Sequence, residues 1–428
     1  MEVGAQVRRI TGVLLADGRA AEVTIGAGAV VSVGPPSGPP PVPAQGDLHL
    51  PGWLLLSAAA EPHAHLDKAL SWAHTDQRYG GLETAIGSWR SYAATMSGDD
   101  VARRARRALG QYLANGVTAV RTHADVLPGP EPLRGIEALL RLREEVRDVL
   151  DLQVVVLPAP ATADPLVAAA LRMGADGVGG CPHLAVDPAA ETGRLLDLAE
   201  RFGVPADLHT DEQLRADMVS VRELCRQVRA RAMRQQVTAS HCVSLGCLDP
   251  GPLAKAVGEI RLAGLGIVSL PITNLYLQGR GRPGPVPRGI TALRALLDAG
   301  VEVAAGGDNL RDPFNPAGRA DPFETTSLLV TAGHLDAGTA LVAVTSAARR
   351  VMGLPPAGPA AGSAASFVAV PVPSLADAVA GPGDERIVIH RGRLVSRTTV
   401  DRRTALPPPP DSAASPAHPP SALAGSSA

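Results

Sequence analysis

Six side chains of the kinds that bind metals or move protons fall in four short segments of the chain. They are His63 and His65 in Glu61-Pro62-His63-Ala64-His65-Leu66-Asp67, His209 and Glu212 in His209-Thr210-Asp211-Glu212, His241 after Ser240, and Asp308 in Gly306-Gly307-Asp308-Asn309. His63 and His65 are two apart, so on an extended backbone both imidazoles point to one side and can share an ion. With His209 and Asp308 they offer three nitrogens and one carboxylate oxygen, a set suited to Zn²⁺ or Fe²⁺ with a position left for water. Singly, each residue is ordinary. An isolated His-x-His pair is more often surface or core than ligand, His209 could be a hydrogen-bonded core residue, and Asp308 could simply hold a turn. Their positions relative to the surrounding elements lift them above that.

Between residues 51 and 354, apolar runs of strand length alternate with amphipathic stretches of helical period, the pattern of repeated βα units. The expected strands are 53–57, 117–122, 152–157, 177–180, 205–209, 236–240, 266–270 and 301–306. Eight such strands predict an α/β protein built on a closed (β/α)8 TIM barrel. Helical stretches lie between them at 100–115, 132–148, 165–173, 191–202, 217–233, 252–262 and 291–299, several ending at a glycine such as Gly116, Gly174, Gly203 or Gly300, as a helix C-terminus should. In a TIM barrel the active residues lie at the C-terminal ends of the strands. The candidate side chains follow the first, fifth, sixth and eighth expected strands. His49, His74, His334, His390 and His418 lie off the strand ends and read as structural or exposed, whereas His123 and His183 follow strands two and four and read as packing or helper residues.

The flanks differ. Residues 1–50 and 355–400 carry short apolar runs broken by Gly and Pro, and neither piece has enough strands to close a core alone. A small composite β-sandwich domain assembled from both chain ends is expected. From 401 to 428 the chain is Pro-, Ala- and Ser-rich, a composition of disorder.

Forty basic against forty-two acidic side chains leave a net charge of −2, with no excess to attract nucleic acid or an anionic membrane. Without a signal-peptide pattern or an apolar run of about 18 residues, the chain reads as a cytoplasmic protein with no membrane partner. Cys181, Cys225, Cys242 and Cys247 form no C-x-x-C pair and read as reduced thiols. Homo-oligomer formation is left open.

The chain resembles the cytosine deaminase group of the amidohydrolase superfamily. Matching segments run through nearly the whole barrel: EPHAHLDK from Glu61, LANGVTAVRTHADV from Leu113, GADGVGGCPH from Gly174, DLHTDE from Asp207, VTASH from Val237, LQGR from Leu277, PRGIT from Pro287 and GDNLRDPFNP from Gly307. Their order and spacing together are specific. The resemblance implies a metal held by His63, His65, His209 and Asp308, Glu212 as proton shuttle, and His241 beside the bound hydroxide, with His241 and Asp308 orienting it. Elementary chemistry agrees: a divalent metal makes hydroxide available near neutral pH, and Glu212, three residues after His209, can carry its proton to a ring nitrogen. Strand four runs into Gly179-Gly180-Cys181-Pro182-His183 with no lysine to be carboxylated as a bridge, so one divalent ion per chain, Zn or Fe, is expected.

The implied function is hydrolytic deamination of a small amino-substituted nitrogen heterocycle, and the alternative is hydrolysis of a cyclic or acyl C–N amide bond. A non-catalytic metabolite-binding relative would have lost a ligand or the shuttle, yet all are present. Substrate contacts are expected from Asn309, Gln278, Phe314, Ala159 and Lys68, with Asn274 able to compensate. Three of these depart from the resembled group, which has Gln where Ala159 stands, an acid where Asn309 stands, and often Trp where Phe314 stands. The departures change which ring edges can be hydrogen-bonded and leave the metal set intact.

Overall fold

The computed structural model describes residues 1–38, 44–401, 403 and 405. The segment from 406 onward, expected to be disordered, lies outside the described residues. Sixteen strands and thirteen α-helices are present among them, the strands falling in two sheets.

The first sheet draws on both ends of the chain. From the N-terminal side come β1 (Arg9–Leu14), β2 (Ala20–Gly26), β3 (Ala29–Gly34), β4 (Asp47–His49) and β5 (Leu54–Ser57). The second sheet is the barrel, made of β6 (Ala59–Ala64), β7 (Val117–Asp125), β8 (Asp151–Leu157), β9 (Gly177–Val178), β10 (Ala206–Thr210), β11 (Val237–His241), β12 (Gly266–Ser269) and β13 (Val303–Ala305). The chain then returns to the first sheet through β14 (Phe367–Val370), β15 (Arg386–His390) and β16 (Arg393–Thr398), in the order β16-β15-β14-β5-β1-β2-β3 with β4 also paired to β1. Period-two patterning buries both faces. Leu55 and Phe367 join Ile10, Val23 and Ile389 on one side, while Leu54, Leu56, Val368 and Val370 pack with Phe323 on the other.

One expected strand changes sheets. Residues 53–57 were assigned from sequence to the first barrel strand, but Leu54–Ser57 pairs antiparallel with β14, Leu54 opposite Val370 and Ser57 opposite Phe367. The barrel begins instead at Ala59–Ala64, paired in parallel with β7. The reason is chemical: Glu61 and Pro62 disguise this strand, and the pairing slips between Glu61 and Ala64, as it must where a proline cannot donate to the ladder. All neighbouring barrel strands are parallel and sequential from β6 to β13. First and last are joined by a bridge between Ala64 and Asp308. Glu61 reinforces that seam by accepting the backbone N–H of Gly307 at 2.8 Å and of His63 at 3.2 Å. Gly306 is what admits this carboxylate, since a Cβ there would lie 2.0 Å from Glu61 Oε1.

Helices cover the barrel: α1 (Leu82–Ala93), α2 (Gly98–Ala114), α3 (Arg134–Val146), α4 (Asp164–Arg172), α5 (Pro188–Phe202), α6 (Val221–Arg231), α7 (Pro250–Ala263), α8 (Pro271–Leu277), α9 (Leu293–Asp298), α10 (Pro322–Thr331), α11 (Ala337–Val344), α12 (Ser346–Val351) and α13 (Leu375–Ala380). Their ends follow local chemistry. In α2, Ser97 accepts from the Asp100 N–H, acids occupy the first turn, and Val101, Ala105, Ala108 and Tyr112 form the buried stripe. In α5, Asp187 accepts from the N–H groups of Ala189 and Ala190 ahead of Pro188, and Gly203 closes the helix at φ 68°. None of the described helices is long and apolar enough to cross a membrane.

Inside the barrel, Arg121 of β7 donates to Asp207 Oδ2 of β10 at 2.8 Å, to Gln153 Oε1 at 2.9 Å and to the Val351 carbonyl at 3.1 Å. Asp207 also accepts from Ser240 Oγ at 3.0 Å, so a fully buried ion pair ties β7, β10 and β11 together. Removing one partner strands the other charge in a dry interior, which costs about 3–5 kcal/mol. Arg121→Met is therefore expected to lower stability by about that amount, read as a drop in the urea midpoint. Adding Asp207→Leu should recover part of the loss, and an unchanged midpoint in the single variant would show that the pair does not brace the barrel.

Candidate active site

The strand ends bring the predicted side chains to one point. His63 lies within β6, His65 just beyond it, His209 within β10 and Asp308 just past β13. His63 Nε2 is 3.1 Å from His209 Nε2, and His209 Nε2 is 3.2 Å from His65 Nε2. Asp308 Oδ1 approaches His65 Nε2 at 3.3 Å and His63 Nε2 at 3.9 Å. Burial and the neighbouring imidazoles hold His63 and His209 well below the ordinary histidine range, and burial with the nearby Lys68 does the same for His65. All three are neutral rings with lone pairs to donate. A neutral ring carries one N–H, so His209 Nε2 cannot satisfy both of its neighbours.

These residues fit a divalent ion. Tetrahedral ligands about 2.0–2.1 Å from a metal stand roughly 3.3–3.4 Å from one another, close to the spacings found. Both Asp308 oxygens are buried without a hydrogen-bond partner. A second group, His63, His123 and Asp207, is also close enough to share an ion, but Asp207 is already engaged by Arg121 and Ser240. The His123 ring packs against His63 with centroids 4.0 Å apart at an interplanar angle of 31°, and His183 lies within 3.1 Å of the His209 carbonyl through Nδ1. His123 thus contacts a candidate ligand ring, and His183 the backbone of another candidate ligand.

Glu212 and His241 stand at the edge of this cluster, facing a cavity of about 620 Å³ that His65, His209 and Asp308 also line. Burial alone pushes Glu212 up to about 8. Burial, with His183 nearby, lowers His241 to about 3. The Asn274 amide nitrogen lies 3.1 Å from His241 Nδ1, so donation there leaves the ring proton on Nε2, an atom buried with no other partner. His241, Asp308 and Asp211 all adopt left-handed backbone, with φ of 68°, 64° and 54°, conformations that non-glycine residues keep only where the surroundings impose them. Asp211 faces away from the chemistry: it accepts from the Ser220 and Val221 N–H groups at 2.7 and 3.0 Å, where α6 begins.

Of the expected substrate contacts, Lys68, Ala159, Asn309 and Phe314 line the cavity. Gln278 is not among the lining residues, and its amide donates to the Glu212 carbonyl at 3.0 Å. Asn309 donates to Asp312 Oδ2 at 2.9 Å, and Asp312 also accepts the N–H groups of Phe314 and Asn315. Lys68 donates to Asp125 Oδ1 at 2.7 Å, and the Trp89 indole donates to Asp125 Oδ2 at the same distance. Sequence reading missed Asp125, Trp89, Asp312 and the seam role of Glu61. A signal for Asp125 existed, because Arg121, His123 and Asp125 alternate along one strand and share a face. His49 and His390, expected off the strand ends, are the last residues of β4 and β15 in the first sheet rather than the barrel; His49 bonds Thr11 at 2.9 Å and His390 bonds Ser366 at 3.3 Å, while His334 bonds Arg288.

Comparison with known proteins agrees with this architecture. A model of the amidohydrolase family matches residues 79–396. A pterin deaminase of Rhizobium rhizogenes is 33% identical over 357 residues, 80% of this chain and 81% of its own. An N-isopropylammelide isopropyl amidohydrolase of a Pseudomonas species is 24% identical over 84% of this chain and 88% of its own. Among solved structures, 5-methylcytosine deaminase from Klebsiella pneumoniae liganded with 5-fluorocytosine superposes with a TM-score of 0.84 at 27% identity, covering 92% of this chain and 99% of its own. The barrel with its two-ended sheet, the metal-ligand cluster at the strand ends and these matches together show that the chain belongs to the amidohydrolase family, in its deaminase-like group, as a hydrolase of carbon–nitrogen bonds other than peptide bonds.

Proposed function

We propose that the protein is a metal-dependent hydrolytic deaminase of a small amino-substituted nitrogen heterocycle, with one Zn or Fe ion per chain on His63, His65, His209 and Asp308. The observation that carries this is the meeting of three neutral imidazoles, His209 Nε2 lying 3.1 Å from His63 Nε2 and 3.2 Å from His65 Nε2, with the buried Asp308 carboxylate 3.3 Å from His65 and 3.9 Å from His63, beside Glu212 on the wall of a cavity. The matched deaminases of a pterin and of 5-methylcytosine support the same reaction class. When bound, the ion lowers the pKa of water toward neutrality and so supplies the nucleophile.

The chain's own residues do the rest. As a carboxylate, the form that a nearby divalent cation would favour against the upward push of burial, Glu212 takes the proton from the attacking water and delivers it to the ring nitrogen of the C=N bond, making the neighbouring carbon electrophilic. Oxygen bonds to that carbon, a second proton transfer through Glu212 makes the exocyclic amine a leaving group, and the C–N bond breaks. Ammonia departs and the ring keeps a carbonyl. His241 donates its Nε2–H to the developing oxygen, while Asp308 accepts a hydrogen bond that orients the water. Asn309, fixed by Asp312, and Phe314 meet the ring on one side, and Lys68 and Ala159 lie on the cavity wall.

Elemental analysis after mild dialysis should return about one zinc or iron per chain. Two tightly held ions, or full activity with none, would contradict the single-ion site.

Glu212→Gln is expected to keep the metal and the fold while kcat falls by about a hundred-fold or more, since an amide cannot shuttle a proton. Near-normal kcat with stoichiometric metal would place the shuttle elsewhere.

Cytosine is expected to be a poor substrate. Ala159 offers no amide for a lactam edge, and an unpaired buried polar group costs roughly 1–3 kcal/mol, about five- to more than a hundred-fold in kcat/KM. The check is kcat/KM for cytosine against isocytosine, aminopterins and aminotriazines on one metal-loaded preparation, read by ammonia release, which also separates deamination from amide hydrolysis. Cytosine as the best substrate by a clear margin would show that Ala159 and Asn309 do not set the preference.

A further inference from the structure

The cavity of about 620 Å³ is in the middle of the range, roughly 300–1,000 Å³, over which pockets enclose drug-sized ligands. A single amino heterocycle over Glu212 leaves much of it unfilled. One end holds the ligand cluster with Glu212, His241 and Asn309, and apart from Lys68, Arg90, Asp125 and Thr162 most of the remaining wall is apolar. One side of that wall is α1, whose Leu82, Ile86, Trp89 and Ala93 all line the cavity at spacings that fall on one helix face. Leu127 and Pro128 after β7, with Pro158 and Leu166 after β8, line it too.

Leu82 and Ile86 are the informative pair. Trp89 and Ala93 are buried in the main core, but Leu82 and Ile86 remain partly exposed and join none of the apolar clusters of the protein. Two large, partly buried aliphatic side chains thus line the cavity outside the apolar clusters of the described residues. The polar groups on this side are already engaged, because Lys68 and the Trp89 indole both bond Asp125. Arg90, on the same helix, is exposed. Ala159, also on this wall, adds no more than a methyl group to it. Because this wall belongs to the same cavity as Glu212, whatever covers it enters with the reacting ring.

We infer that the preferred substrate is an amino heterocycle bearing an apolar alkyl or aryl substituent, which lies against Leu82 and Ile86 of α1. This rests on the deaminase reading above and adds to it the chemical class of the ring's substituent. The test uses the metal-loaded full-length enzyme and matched pairs of aminopyrimidines, aminopteridines and aminotriazines, each with and without a butyl or phenyl group. In the ring class that turns over, the substituted member is expected to exceed its parent by about tenfold or more in kcat/KM, the scale of apolar pocket discrimination. Ile86→Trp, which fills the space beside α1, should collapse that ratio toward unity. Parents equal to or better than their substituted partners, or a ratio unchanged in Ile86→Trp, would overturn the inference. Equilibrium binding of the corresponding ring carbonyl products to the unmutated enzyme, by calorimetry, tests the wall without turnover or a variant. If no ring releases ammonia, the deaminase reading fails, and the binding pairs still decide: about tenfold tighter binding of substituted rings upholds the apolar arm, and equal affinities refute it.

Discussion

Three neutral imidazole nitrogens that cannot all hydrogen-bond to one another at once are held with His209 3.1 Å from His63 and 3.2 Å from His65 in a dry interior, and a carboxylate oxygen lies 3.3 Å from His65. Lone pairs packed in this way repel, and burial removes the water that would separate them. A cation turns the same arrangement from a liability into a stabilising one, because metal binding to preassembled ligands adds to the stability of the fold. The surroundings hold the cluster against its own repulsion. His123 packs at a tilt against His63, His183 sits against the His209 carbonyl, and the Arg121–Asp207 pair joins β7 to β10.

The positions of the working groups are set by backbone as much as by side chains. Left-handed φ values at His241 and Asp308 turn their side chains where a regular strand ending would not carry them. Hydrogen bonds fix the adjoining loops, with Asp211 holding the start of α6 and Asp312 gathering Asn309, Phe314 and Asn315. Arg104, buried in α2, donates to the carbonyls of Asp67 and Ala69 at 2.8 and 2.7 Å, which anchors the loop that carries Lys68. Rigid supports of this kind let a few polar groups act on a ring without first reorganising.

Much of this was legible in the sequence, and the gaps have physical causes. Strands whose apolar runs end in a chemical side chain, such as those leading to His209 and His241, announced both the barrel and its site, since strand period and ligand type agree there. The first barrel strand was hidden because Glu61 and Pro62 break the apolar pattern, while the neighbouring Leu54–Ser57 looks more like a strand and serves the other sheet. The ligand residues stand near one another within short motifs or at strand ends. The substrate wall, in contrast, is built by α1 and by loops after β7 and β8, whose contacts depend on how distant segments meet. Asp125 illustrates the difference: its strand position was readable, but its bonds to Lys68 and Trp89 join residues 57 and 36 positions away.

The seam of the barrel has a bearing on the life of the protein in a cell. First and last barrel strands meet through the Ala64–Asp308 bridge and the Glu61 carboxylate, and the same few residues carry His63, His65 and Asp308. Closure of the fold and occupancy of the ligand cluster therefore share one set of atoms. With a cation bound as proposed above, that line would be fastened, and without one, mutually repelling groups would lie along it. Proteolysis through transient openings of the seam would then be slower with the cluster filled than with it empty.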